Sequence, residues 1–72
     1  MKLANITQGE MFVYDGALFV VAPFDWEKWV YPNICVASRN ENYCVGETYV
    51  FDSSTETTYI TRAILKDFIP KI

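Results

Sequence analysis

Residues 11–21 read MFVYDGALFVV, two apolar runs on either side of Asp15-Gly16. An Asp-Gly pair between alternating apolar residues is the strongest short-range signal for a β-hairpin with a two-residue loop. The type I′ turn it needs has positive φ at both central residues; glycine adopts this freely and aspartate tolerates it. Centred there, the hairpin sets Tyr14 against Ala17, Val13 against Leu18, Phe12 against Phe19 and Met11 against Val20. Side chains alternate between the faces of a strand. Phe12, Tyr14, Ala17, Phe19 and Val21 therefore share one face, and Met11, Val13, Leu18 and Val20 share the other. Both faces are apolar, whereas an antiparallel hairpin at a protein surface keeps one face wet. The second face calls for a cover: a loop, a terminal segment or another subunit.

Working outward, residues 2–10 form a lead-in with a turn at Thr7-Gln8-Gly9. Residues 25–33, bracketed by Pro23 and Pro32, read as a loop or distorted edge, because proline removes a ladder donor. A single helical turn is the alternative there, with Trp26, Trp29 and Val30 at i, i+3 and i+4. Residues 34–45 read as a second hairpin turning at 39–42. Residues 47–51 and 57–62 read as strands joined by the polar turn 52–56. A register centred on Ser54 pairs Tyr49 with Tyr59 and Val50 with Thr58. Ile64, Leu65, Phe68 and Ile69 lie at near-helical spacing, so residues 63–69 read as a short α or 3₁₀ segment, with a last strand as the alternative; Pro70 ends it.

Five short strands with turn signals between them predict an all-β chain, a small barrel or sandwich forming one domain over residues 1–72. At 72 residues, 51% of them hydrophobic, the chain is too apolar for disorder. It is also small enough that its core supplies only about 3–5 kcal/mol. The net charge of −3 comes from scattered acids, and the six basic residues form no stripe. This argues against nucleic acid as the main partner. No apolar run approaches the ~18 residues of a membrane span. The N-terminal residues lack the apolar stretch of an export signal, so a cytoplasmic location is expected.

The chain resembles the small SH3-like β-barrel proteins found among bacteriophage accessory genes. The resemblance is carried by residues 6–12 (ITQGEMF), 14–21 (YDGALFVV), 46–52 (GETYVFD) and 55–59 (TETTY). It implies a five-stranded SH3-like barrel with a short helical or 3₁₀ segment near the C-terminus. It also implies a role in host takeover or counter-defence. Its motifs are turn glycines and strand alternation, so it transfers no catalytic or binding residue.

Catalytic chemistry finds little support. The chain has no histidine, the commonest general base and nucleophile activator. Phosphate-cradling and nucleophile-elbow motifs are absent. No metal site and no cofactor is expected. Cys35 and Cys44 face each other in a hairpin symmetric about residues 39 and 40, where opposed Cα atoms lie about 4.5 Å apart. In a reducing compartment two free thiols packed as small hydrophobes are expected, a redox pair being the alternative.

The remaining candidate is the segment 24–31. Phe24, Trp26, Trp29 and Tyr31 are interleaved with Asp25, Glu27 and Lys28. These aromatics either cap one end of the barrel or form a binding surface. Tryptophan and tyrosine dominate interface hot spots and also make stacking platforms for bases. The acids favour a protein partner, with Asp25 and Glu27 as a polar rim. The leading expectation is therefore a non-enzymatic protein that binds and inhibits or redirects a bacterial host protein. The alternative is a homo-oligomeric sponge that sequesters a nucleotide signal, with Lys28, Arg39 and Arg62 as phosphate contacts.

Overall fold

The computed structural model describes residues 1–68. A 3₁₀ turn at Leu3–Asn5 is followed by β1 (Met11–Tyr14), β2 (Ala17–Val21), β3 (Asn33–Ser38), β4 (Thr48–Tyr49), β5 (Thr58–Tyr59) and α1 (Arg62–Lys66). The strands form one open antiparallel sheet in the order β4-β3-β2-β1-β5. The all-β expectation thus holds at the level of five antiparallel strands and a C-terminal helix. Ile69 and Pro70, the expected end of that helix, lie outside the described residues. Among those described, no helix is long and apolar enough to cross a membrane.

The first hairpin forms as its sequence dictates. Asp15 and Gly16 have φ of +50° and +78°, and all four expected cross-strand pairs are made. Phe12, Ala17, Phe19 and Val21 are buried in one cluster with Ile6 and Cys35, and Tyr14 packs against it. On the opposite face Leu18 is buried, Val13 and Val20 are half-buried and Met11 is exposed. The hairpin's two apolar faces are thus buried unequally, the aromatic one being the core.

The second hairpin differs from its expected register. β3 pairs with β4 through Asn33–Tyr49 and Ile34–Thr48, so the connection is the nine-residue loop 39–47 rather than a tight turn at 39–42. The core explains the difference. Tyr43, in the middle of that loop, sets its ring edge-on to Phe19 at 5.3 Å and to Tyr49 at 5.1 Å. Tyr49 Oη in turn accepts the Cys44 N–H at 2.7 Å. A tight turn would carry Tyr43 away from these partners. Cys35 meets residues 46 and 47 rather than Cys44: its N–H donates to Glu47 O and its carbonyl accepts from Gly46 N–H. Cys35 is buried, Cys44 is exposed, and both thiols are free. Between Leu18 and Phe19 the β2–β3 ladder shifts, leaving Val36 as the extra residue of a bulge.

The expected β4–β5 hairpin does not form; the two strands lie at opposite edges of the sheet. The chain between them, residues 50–57, is a strap that crosses the core face. Phe51 packs edge-on to Phe19 at 5.1 Å and against Tyr14 at 5.0 Å. The turn in the strap is closed on itself, Asp52 Oδ1 accepting from Ser54 N–H and Oγ–H. Beyond it the backbone pairs with the N-terminus. Leu3 N–H donates to Thr55 O, Ala4 N–H to Ser53 O and Thr57 N–H to Met1 O. The strap and the N-terminal segment together lie over the face of the sheet that β4 and β5 leave open.

The turn at Thr7-Gln8-Gly9 is fixed by a clasp. Glu10 Oε1 accepts from Thr7 N–H at 2.9 Å and from Thr7 Oγ–H at 2.5 Å, while Oε2 accepts from the Tyr59 hydroxyl. The Thr7 hydroxyl, then Tyr59, then the Thr7 amide lower the Glu10 pKa to about 2. The bond and charge of Glu10 push the Tyr59 phenol up. This clasp ties the lead-in to the β5 edge.

Candidate functional site

Val21 ends β2, and Pro23 stops the strand from continuing. The chain then makes a second, smaller hairpin whose ends meet at Asp25 and Val30. Asp25 organises it twice. Its Oδ1 accepts from the N–H groups of Glu27 and Lys28 at 3.0 and 3.2 Å, the Asx arrangement that starts turns. Its backbone carbonyl accepts from Trp29 N–H at 2.7 Å, and its own N–H donates to Val30 O at 2.8 Å. The loop closes only because Trp29 takes φ of +60°. Left-handed backbone costs an L-residue roughly 1–2 kcal/mol, and a bulky side chain there is an outlier. The Trp29 N–H to Asp25 O bond is the i+4 to i bond of a single α-turn, and no helix continues from it.

The loop holds its aromatic residues as a cluster on Phe24, whose half-buried ring meets Trp26, Trp29 and Tyr31 edge-on at 4.7, 5.4 and 4.9 Å. Trp26 and Trp29 contact each other at 5.6 Å. Phe24 thus serves as an inner support, while Trp26, Trp29 and Tyr31 stand 74%, 71% and 53% exposed. They do not form a buried cap on the sheet. Glu27 and Lys28 are exposed beside them and Asp25 is half-buried.

A cleft of about 510 Å³ lies at the foot of this cluster. Its floor is the end of the sheet, Val21 and Asn33, with Ile6; one wall is Phe24, Trp29 and Tyr31, and the other is Val50 and Phe51 of the strap. The N-terminal segment adds Leu3, Ala4, Thr7 and Gln8 and the strap adds Ser53, so the lining is polar as well as apolar but includes no charged side chain. Asn33 is the unusual member, a polar residue only 1% exposed. Its Nδ2 donates to Tyr49 O at 3.2 Å, which fixes the orientation of the amide, since a carbonyl can only accept. No described residue donates to Oδ1. Among the described residues, no fully enclosed side-chain N or O atom is left unpaired.

The loop brings together Phe24, Asp25, Trp26, Glu27, Trp29 and Tyr31, the six residues read from the sequence as a partner surface. The three basic residues are not brought together. Arg39 donates its N–H to Gly16 O, beside the β1–β2 turn, whereas Lys28 lies past the other end of β2. Arg62 opens α1, beyond the β5 edge. Among the described residues, no three His, Cys, Asp or Glu side chains cluster as metal ligands. Sequence reasoning missed the cleft. Asn33 follows Pro32 and reads as a turn residue, and the far wall is carried in by a strap whose path no local pattern specifies. No family model, curated protein or solved structure matches this chain.

Proposed function

We propose that this chain is a non-enzymatic binding module, an SH3-like barrel of bacteriophage type that engages a bacterial host protein in the cytoplasm through its 24–31 loop. The observation that carries the proposal is the pair of tryptophans, each more than 70% exposed, on a loop that accepts a left-handed Trp29 to present them. Strained backbone persists only where its surroundings over-determine it, and such strain concentrates at functional sites. Large exposed apolar patches mark interaction surfaces, and a tryptophan-rich patch suits a protein hot spot. The barrel reading is supported by the strap and N-terminal segment lying across the sheet's open side. The sequence resemblance favours the phage origin and a host target. The uncharged cleft and the separation of Lys28 from Arg39 favour a protein partner over a nucleotide.

The test is capture from bacterial lysate with wild type and with the Trp26→Ala/Trp29→Ala variant, after circular dichroism has established that both fold alike. A host protein retained by wild type, lost by the double variant and bound again when both are purified is the expected result. Equal retention by a folded double variant overturns the site assignment.

A further inference from the structure

We propose that the aromatic loop recognises an arginine of its partner, whose guanidinium stacks on Trp26 and Trp29 and donates to the carboxylates of Asp25 and Glu27. The inference rests on the binding reading above and names the partner chemistry that reading leaves open.

The two indoles set the first condition. Their centroids lie 5.6 Å apart with the planes inclined at 69°, and the residues are 74% and 71% exposed. Rings so exposed keep a face in water, and their mutual inclination makes a corner rather than a flat patch. A cation is attracted to an aromatic face within about 6 Å of its centroid, tryptophan being the strongest such face. With the centroids this close, one cation seated in the corner is in range of both.

Charge sets the second condition. Asp25 and Glu27 flank Trp26 in the chain, against the single positive charge of Lys28, and the whole protein carries −3. The ion pair among the described residues is that of the N-terminal ammonium with Glu56, so neither loop acid is neutralised from within the fold. The Asp25 carboxylate is held in place by the N–H groups of Glu27 and Lys28. A partner that covered the tryptophans with aliphatic or aromatic side chains alone would draw these acids out of water unpaired, which is costly. A phosphate or carboxylate would meet like charge. A cationic side chain gains from the rings and the acids together.

The openness of the corner selects arginine over lysine. An ammonium is a compact, strongly hydrated charge, and its attraction to a ring is largest where its water is stripped away. Rings more than 70% exposed do not enclose it. A guanidinium is planar and more weakly hydrated, and it stacks flat on an aromatic face while the N–H fork at its edge stays free for carboxylates.

Trp26 and Trp29 are the two tryptophans of the chain, so every indole signal reports on this corner. ¹⁵N-labelled protein is titrated at low salt with acetyl-Gly-Arg-Gly-amide and with the same peptide carrying lysine or citrulline, the latter an uncharged isostere of arginine. Saturable shifts of both indole N–H signals are expected with arginine. Citrulline should bind about tenfold more weakly, the loss of an exposed cation–π contact and an exposed ion pair together, with lysine in between. Glu27→Gln, at an exposed position, should weaken the arginine peptide about threefold and leave citrulline unchanged. Arginine that binds no tighter than lysine or citrulline, or that leaves the indole signals unmoved, overturns the assignment. So does blue-shifted tryptophan emission on phosphatidylglycerol vesicles that the arginine peptide does not reverse, which would make a lipid surface the occupant. A dimer that Trp26→Ala abolishes and the arginine peptide fails to dissociate would overturn it in favour of a second copy. The two ideas fail separately: host-protein capture that needs both tryptophans but is unchanged by Glu27→Lys sinks only the arginine, whereas capture indifferent to both tryptophans sinks the reading beneath it.

Discussion

The molecule holds two aromatic clusters of similar size and opposite use. In one, Phe12, Phe19, Tyr43, Tyr49 and Phe51 pack between the sheet and its strap, with Phe12 stacked on Phe19 at 5.4 Å and the other rings set edge-on to Phe19. In the other, Trp26, Trp29 and Tyr31 lean on Phe24 at much the same spacings but face solvent. Ring geometry does not distinguish them. The difference is that strand alternation and three separate chain segments enclose the first, while the single eight-residue segment 24–31 builds the second at a cost in backbone strain. The first cluster stabilises the fold; the second has little to contribute to it and is free to bind.

That contrast breaks most directly at Phe19. Removing a buried phenylalanine costs about 3–5 kcal/mol, as much as a core of this size supplies. Phe19→Ala is therefore expected to be unfolded at 25 °C by circular dichroism. Trp26→Ala/Trp29→Ala is expected to melt cooperatively with a loss of about 1 kcal/mol, the order of the edge-to-face pairs it deletes. A double variant as unstable as Phe19→Ala would show that the loop cluster is part of the core after all.

The same contrast marks how far the sequence could be read. The first hairpin was legible to the residue pair, because Asp15-Gly16 fixes its turn and alternation fixes its core face within eleven residues. Legibility failed where a distant partner decides. Residues 39–42 look like a tight turn until Tyr43 is needed on Phe19. Residues 52–56 look like a hairpin turn until their continuation pairs with residues 1–4. The aromatic loop was legible as composition, since two tryptophans among acids in a proline-bracketed segment are conspicuous. The left-handed Trp29 and the burial of Asn33 were not, because neither a backbone sign nor a burial depth is written in local pattern.

A smaller effect sharpens the loop side of the comparison. If the turn forces φ of +60° on position 29, then Trp29→Gly should melt higher than Trp29→Ala. Both lose the indole, but only alanine keeps a Cβ in left-handed backbone. A difference of about 1 kcal/mol corresponds to roughly 4–8 °C in a domain of this length. Equal melting temperatures would mean that the loop relaxes once the indole is gone, so that the side chain and not the turn imposes the strain.

The smallest expected effect lies where the two regions meet, at the Thr7–Glu10–Tyr59 clasp. Thr7 lines the cleft, and Tyr59 sits opposite Phe12 in the ladder. The Glu10 carboxyl is lowered from 4.5 to about 2 by the bonds it accepts, so the folded state favours its ionised form. That contribution is complete above about pH 4.5 and is lost as pH falls towards 2. Tyr59 carries the opposite sign: its phenol is raised above 10, so its share holds below pH 10 and fades as pH rises through the folded-state value. Glu10→Gln removes the acid-side dependence. Melting temperatures measured from pH 6 down to pH 2 should therefore fall more steeply for wild type than for Glu10→Gln, with the gap closing within that window. Parallel curves would mean that the clasp is made and broken in water without consequence for the fold, and that the N-terminal wall of the cleft is held by its backbone pairing with residues 53–57 alone.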